Sequence, residues 1–411
     1  MRFRGVQFSR IIFPSGTEVI RMRFHILQVT VDTKRLASYA LIAFILGGAL
    51  GGVLFNFGGI YVSTTGVSDM FGYMQRFQSV HELKEYLTER DSVNIYWMEP
   101  SGLRGLGFSS LETEESMTMD GEVLAGSANE YSGTNVQVEG VDEADIVKTD
   151  GTYIYFAKGS EVVFVKAYPV SEAEIVSRIN LTHPVQDIYV SDNRLIVFTS
   201  ETPDDNYYIF DETTPYTLKS ILTIFDITEK ENPDQIREIK MDGTYFNSRL
   251  IDNYLYFIIR NPAYTDDDTV PLPTIREDKT WSTIEADCIW YPNHTRGWMA
   301  YHTIISIDVQ AEKGQLTTET FLLDEGSTIY VSPTNLYLTS EGWWRETQIT
   351  KIEIQNGDIK FKANGTVPGY VLNQYSMDEK NEYFRIATTG SSDGRREGNN
   401  VYVMNSELET V

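Results

Sequence analysis

The chain is poor in the residues that carry most site chemistry. Among 411 residues there is one cysteine, Cys288, so neither an internal disulfide nor a thiolate zinc cluster can form. The histidines (His25, His81, His183, His294 and His302) are scattered, and no pair has the HExxH spacing of a zinc protease. No Gly-rich phosphate loop is present. Basic charge is scarce as well: 34 Lys and Arg stand against 59 Asp and Glu, a formal net charge of −25. A body this acidic lacks the basic face that phosphates require, which excludes nucleic acid as a partner.

Acidic charge is in turn scarce at the start. Residues 1–62 hold seven basic side chains and two acidic ones, Glu18 and Asp32. Within them begins a run, 36–68, with no charge at all. Its most apolar part, Leu36–Phe55, has the length of a membrane-crossing helix, about 20 residues. Lys34 and Arg35 abut its start, and the first charge after it is Asp69. The positive-inside rule then predicts a basic cytoplasmic segment over 1–35, a signal anchor over 36–62, and an extracytoplasmic body at the cell membrane. Gly47/Gly51 and Gly48/Gly52 stand at GxxxG spacing, which would let two such helices self-associate. Beyond the anchor, Met70, Met74, Phe77, Val80, Leu83 and Leu87 recur at helical spacing. A short amphipathic helix and a flexible acidic linker are therefore expected over 63–132, and a folded domain over 133–411.

That domain repeats itself. A small polar turn before an apolar strand recurs as TDGTYIYFA (149–157), SDNRLIVFT (191–199), IDNYLYFII (251–259), SPTNLYLTS (332–340) and, more weakly, MDEKNEYFRIA (377–387). A second strand follows each, from SEVVFVKAYP (160–169) to NNVYVMNSEL (399–408). Short alternating strands joined by Asp-Gly and Asp-Asn turns are hairpin signals. A four-stranded unit of about 40–50 residues is the unit of a propeller blade. The fold class expected is thus all-β, a β-propeller of four-stranded antiparallel blades. About four are complete; a partial fifth reads as a C-terminally incomplete ring. Ile154, Phe156, Leu195, Val197, Leu255, Phe257, Leu336 and Leu338 are the positions expected between blades.

The stretch TNVQVEGVDEADIVKTDGTYIY, with the later SDNRLIVF, FNSRLIDNYLYFI and AYHTIISIDV, resembles the archaeal and bacterial secreted β-propeller family distantly related to WD-40 repeats. The resemblance covers about 70–411. It implies an extracytoplasmic propeller tethered near its N-terminus and implies no particular reaction, so no catalytic residue follows from it. Glu139, Asp142, Glu143 and Asp145 precede the first strand, either guarding a sheet edge or as calcium ligands.

The longest interruption of the repeat, 261–300, gathers Asp266, Asp267 and Asp268 with Trp281, Trp290 and Trp298. Indole faces beside carboxylates suit a sugar ring, and Trp343 and Trp344 offer a second such pair. The three aspartates are candidate calcium ligands, and no other cofactor is expected. Asn180, Asn293 and Asn364 open N-x-T sequons and are glycosylation candidates. The reading is a membrane-anchored, extracytoplasmic propeller that binds a protein or a surface polysaccharide. A carboxylate-dependent glycan hydrolase and a structural component of the cell envelope stand as alternatives.

Overall fold

The architecture was established from a computed structural model of the chain. It describes residues 6–12, 18–24, 56–57, 60–61, 74–95, 136–201, 218–265, 269–277, 279–292, 299–324, 327–342, 346–390 and 398–411. The chain divides into a first unit, Met1–Met70, and a second, Phe71–Val411.

In the first unit, Val6–Ile12 pairs antiparallel with Glu18–Phe24. Asn56–Phe57 pairs with Ile60–Tyr61 as a small hairpin. These findings correct the expected localisation. Among the described residues no helix is long and apolar enough to cross a membrane. The last part of the expected anchor is extended backbone, and the segment before it that was expected to be a cytoplasmic tail forms a β-hairpin. Leu36–Phe55 itself, with Gly47, Gly48, Gly51 and Gly52, lies outside the described residues.

The second unit is built on five sheets in chain order. The first blade comprises Val147–Thr149, Tyr153–Lys158, Glu161–Lys166 and Glu174–Asn180. The second comprises Val185–Ser191, Arg194–Ser200, Lys219–Asp226 and Asp234–Asp242. In the third are Thr244–Ile251, Tyr254–Pro262, Met299–Asp308 and Thr317–Asp324. The fourth has Ser327–Val331, Asn335–Gly342, Glu346–Gln355 and Asp358–Pro368. The fifth has three strands, Met377–Lys380, Tyr383–Thr389 and Asn399–Met404. Neighbouring strands within each blade pair antiparallel, as the repeated hairpin signal requires. The turns carry the expected chemistry: Asp192 and Asp252 take left-handed φ values of 50° and 52°. In the fourth blade Asn356 and Gly357 do so together, the geometry of a type I′ turn. A Cβ on Gly357 would meet the Tyr254 ring at 2.7 Å, so glycine is required there for space as well.

Among the described residues four apolar cores join consecutive blades. Leu195 and Val197 pack toward Tyr155 and Phe164 of the first blade. Ile196 and Phe198 face Leu255 and Phe257. Ile258 and Ile304 face Leu336 and Leu338, and Tyr337 and Ile349 face Phe384 and Ile386. Six of the eight expected interblade positions are buried, but Ile154 and Phe156 are half-buried. In the first blade the intervening Tyr155 faces the second blade instead. Every residue of Tyr-Ile-Tyr-Phe-Ala is apolar, so its sequence did not penalise a one-residue slip of facing.

Two blades are widened. Thr274–Glu277 adds to the outer strand of the second blade, and Thr280–Thr283 adds to that, giving six strands. On the third blade Ile289–Pro292 runs parallel to Thr317–Asp324, and Met74–Arg76 pairs with it from the far side. Helical spacing is realised from Val80 to Ile95, helix α1, whose Leu83 and Leu87, with Phe77 just ahead of the helix, enter the core between the second and third blades; Met74, read at the same spacing, lies in a strand. Phe77 stacks on Tyr291 at 3.7 Å, and the Tyr86 hydroxyl donates to the Pro292 carbonyl at 2.7 Å.

Candidate functional site

Polar groups gather at several places among the described residues, and two of these involve segments outside the regular repeat. The first is the line where the first strands of the blades meet. The lead-in segment 136–146 runs along it. Asp142–Glu143 pairs with Leu250 and Arg249 of the third blade. Asp145 and Ile188 of the second blade exchange backbone hydrogen bonds at 2.9 and 3.3 Å. The Gln137 amide donates to the carbonyls of Gln374 and Met377 beside the fifth blade. A single short segment thus ties three blades together at their inner ends.

Charge holds it there. The Lys148 ammonium lies 2.8 Å from Asp142 and donates to the Glu143 carbonyl at 2.5 Å. The Arg249 guanidinium lies 3.2 Å from Glu143 and donates to Asn247, to the Ser248 carbonyl and to Gln374. The Tyr189 and Tyr245 hydroxyls both meet Ser248 Oγ, at 2.8 and 2.6 Å. Asp187, with Glu143, Tyr245 and Arg249, lines a small cavity of about 170 Å³. Burial raises the pKa of its carboxyl, with the Tyr245 hydroxyl opposing. Desolvation likewise holds the Tyr245 phenol well above its usual range. The acids of the lead-in, expected as edge guards or calcium ligands, are partners of buried cations at Asp142 and Glu143. Among the described residues no group of three or more His, Cys, Asp or Glu could hold a metal ion.

The second place is a groove of about 820 Å³ between the widened second and third blades. One side is the outer hairpin, with Thr280, Ser282 and Thr283; the other is formed by Arg76, Cys288, the segment 313–316 and the start of the strand Thr317–Asp324. Its floor is apolar: Ile275 and Ile284 are buried and Leu316 is partly so. Its acids are held. Arg237 donates to Glu277 at 2.6 Å and to the Gly314 carbonyl at 2.8 Å, and Arg76 meets Glu319 at 2.7 Å. Burial, reinforced by Asp287, raises the pKa of the Cys288 thiol, which keeps it protonated.

Of the tryptophans read as candidates, two are described, and they lie on different sheets. Trp281 lies on the outermost strand of the second blade, 50% exposed, with the Arg276 guanidinium 5.5 Å and the Lys219 ammonium 5.7 Å from its ring. Trp290 is packed: its indole N–H donates to Glu319, Arg76 lies over the ring at 4.7 Å, and Phe361 lies 4.9 Å away. Trp298, Trp343, Trp344, Asp266, Asp267, Asp268 and Asn293 lie outside the described residues. Asn180 is exposed at the end of its strand, whereas Asn364 sits within Asp358–Pro368, paired with Thr350. Sequence reasoning missed the contribution of Met74–Arg76 and Lys313–Glu319 to the groove. Strand Ile289–Pro292 pairs with segments on both sides of it in space that are far apart in sequence, and no local signal marks such pairing.

The chain belongs to the Beta propeller domain family, whose model matches residues 131–411. The resemblance read from the lead-in and its repeats is therefore borne out. Relatives include an uncharacterized protein, MJ1554, of Methanocaldococcus jannaschii, 24% identical over 75% of this chain and 58% of its own length. An uncharacterized protein of Archaeoglobus fulgidus is 23% identical over 82% of this chain and 65% of its own length. The chain thus spans less than two thirds of the length of either relative. Among solved structures, uncharacterized protein lmo1340 of Listeria monocytogenes EGD-e covers 66% of this chain and 82% of itself at 7% identity, with a TM-score of 0.26. A score that low carries no functional reading.

Proposed function

We propose that the chain is a protein-binding module whose recognition surface is the groove between the widened second and third blades. A propeller fold serves broadly as an interaction scaffold, and function on such scaffolds gathers where the repeat is interrupted. The observation that carries the reading is the groove itself. The strands added to the second and third blades wall a cleft of about 820 Å³ with an apolar floor and a polar rim. Two of its carboxylates, Glu277 and Glu319, are committed to guanidinium partners, an arrangement suited to holding a ligand rather than to donating a proton. A photoreactive amino acid placed at Ser282 or Lys313 tests this in cells. A discrete crosslinked protein is expected from both positions and not from Lys360 on the outer strand of the fourth blade. The same products from all three positions would refute it.

One observation favours a second reading. Exposed Trp281, flanked by Arg276 and Lys219, offers an indole for stacking against a polysaccharide. Retention on insoluble polysaccharides that falls with Trp281→Ala, at unchanged melting temperature, would favour it; equal retention would dismiss it.

A further inference from the structure

We infer that the partner enters the groove as an extended strand and adds to the free edge of Thr280–Thr283; this rests on the groove being the binding surface. The strand is the outermost of its sheet and all four of its residues are exposed. It pairs on one side with Thr274–Glu277, Glu277 opposite Thr280 and Thr274 opposite Thr283. Ile284 N–H donates inward to the Pro273 carbonyl at 2.9 Å. In an antiparallel pair the inward-bonding residues alternate. Ser282 and Thr280 therefore bond inward, and the N–H and C=O groups of Trp281 and Thr283 point away from the sheet. Among the described residues no strand meets them.

Free edges are normally guarded, because an unpaired ladder recruits other chains. Among the described residues, the outer edges of the other blades are guarded. Glu174–Asn180 carries Glu174, Arg178 and a register irregularity. Met74–Arg76 is three residues long and ends in a charge. Asp358–Pro368 carries Asp358, Lys360, Lys362 and a terminal proline. Alongside Asn399–Met404, Thr410 bridges Met404 and Val411 N–H donates to Val403. Thr-Trp-Ser-Thr has no charge, no proline and no bulge, and its residues favour strands.

The groove has the room and the chemistry for a guest strand. One residue of an added strand occupies about 4.8 by 3.4 by 10 Å, so the groove accepts about five residues. Side chains of the guest at alternate positions would meet Ile275, Ile284 and Leu316, and those between would meet Trp281. Glu277 and Glu319 are already paired, and the charges of Glu285 and Lys313 are exposed. The guest residues over Ile275, Ile284 and Leu316 are therefore apolar at every second position and β-branched, with charge kept to the ends of the guest.

The test uses the full chain and a fluorescent peptide, Lys-Thr-Val-Thr-Val-Thr-Val-Lys, read by anisotropy. Binding should weaken at least about tenfold with Thr283→Pro, which removes one outward N–H, and stay within about twofold with Thr283→Val. N-methylation of alternate peptide residues should abolish binding in one phase and not in the other. Leu316→Ala should weaken it as well. Loss with Leu316→Ala but not with Thr283→Pro or N-methylation would overturn strand addition and leave the groove reading standing. Binding that responds to none of these changes would count against both. No binding at about millimolar peptide would overturn strand addition alone, since crosslinking from Ser282 and Lys313 tests the groove independently. Self-association of the chain that Thr283→Pro abolishes would show the edge pairing with a second copy, and would also overturn the inference.

Discussion

Arg249 and Glu143 lie 3.2 Å apart, the arginine 5% exposed and the glutamate 22%, and the pair joins the lead-in segment to the inner strand of the third blade. The guanidinium also satisfies Asn247, Ser248 and Gln374, so it links the third blade to the approach of the fifth. Arg249→Met leaves Glu143 without its partner in a largely buried place. Denaturant unfolding should show a loss of about 3 kcal/mol. Adding Glu143→Gln should recover part of it, because the stranded charge is then gone. A loss under about 0.5 kcal/mol would mean that the segment is not anchored by this pair.

The interblade cores make a graded prediction. Leu195→Ala and Phe257→Ala, at fully buried positions, should each cost about 2–5 kcal/mol. Ile154→Ala, at a half-buried position on the opposite face of its blade, should cost no more than about 1.5 kcal/mol. Equal losses at all three sites would show that the first blade faces the other way.

His302 supplies a pH dependence. The ring is fully buried in the third blade, its Nδ1 is 3.1 Å from the Ala300 carbonyl, and desolvation lowers its pKa to about 3 from 6.5. The native state therefore binds this proton more weakly than the unfolded chain. The contribution of the neutral ring is complete above about pH 6.5 and is lost as pH falls toward 3, by up to about 1.4 kcal/mol per pH unit. Stability of the wild type and of His302→Gln, measured from pH 7 to 4, should diverge at neutral pH and converge on acidification. Parallel curves would contradict the burial of a neutral imidazole.

The two described tryptophans should separate by assay. Trp290→Ala removes a ring held by Glu319, Arg76 and Phe361 and should cost about 2 kcal/mol or more. Trp281→Ala, on the open edge, should stay within about 0.5 kcal/mol of wild type. A large melting-temperature loss from Trp281→Ala would make that indole a packing residue.

How much of this was legible in the sequence follows from the range of the interactions. Asp192, Asp252 and the Asn356–Gly357 pair mark hairpins that close over two residues, so the blades could be read directly. Leu195, Val197, Leu255 and Phe257 are buried because both faces of their strands meet a neighbouring blade, so either facing of an apolar run reaches a core there. Ile154 and Phe156 lie on the face of the first blade opposite the one packed on the second, and their apolar run carries no facing information. The position of Asp142 and Glu143 was illegible for a different reason: their partners Arg249 and Leu250 are about a hundred residues away and are set by tertiary pairing rather than by neighbours in the chain. The groove was half legible. The insertion announced itself by length and by its tryptophans, but the opposing wall comes from Arg76 and Lys313–Glu319, which only tertiary pairing brings near. An apolar, uncharged stretch suggested a membrane anchor, and in the described part of it, Asn56–Phe57 with Ile60–Tyr61, the backbone pairs as strands.

The claim that the groove between the second and third blades is the recognition surface is tested most directly by hydrogen exchange on the full chain, free and bound to the protein crosslinked from Ser282. The account predicts slowed exchange at Trp281 and Thr283 and across residues 313–318, with the first-blade strand Glu174–Asn180 unchanged. Protection confined to the lead-in 136–146 or to the fifth blade, with Thr280–Thr283 exchanging as in the free protein, would contradict it.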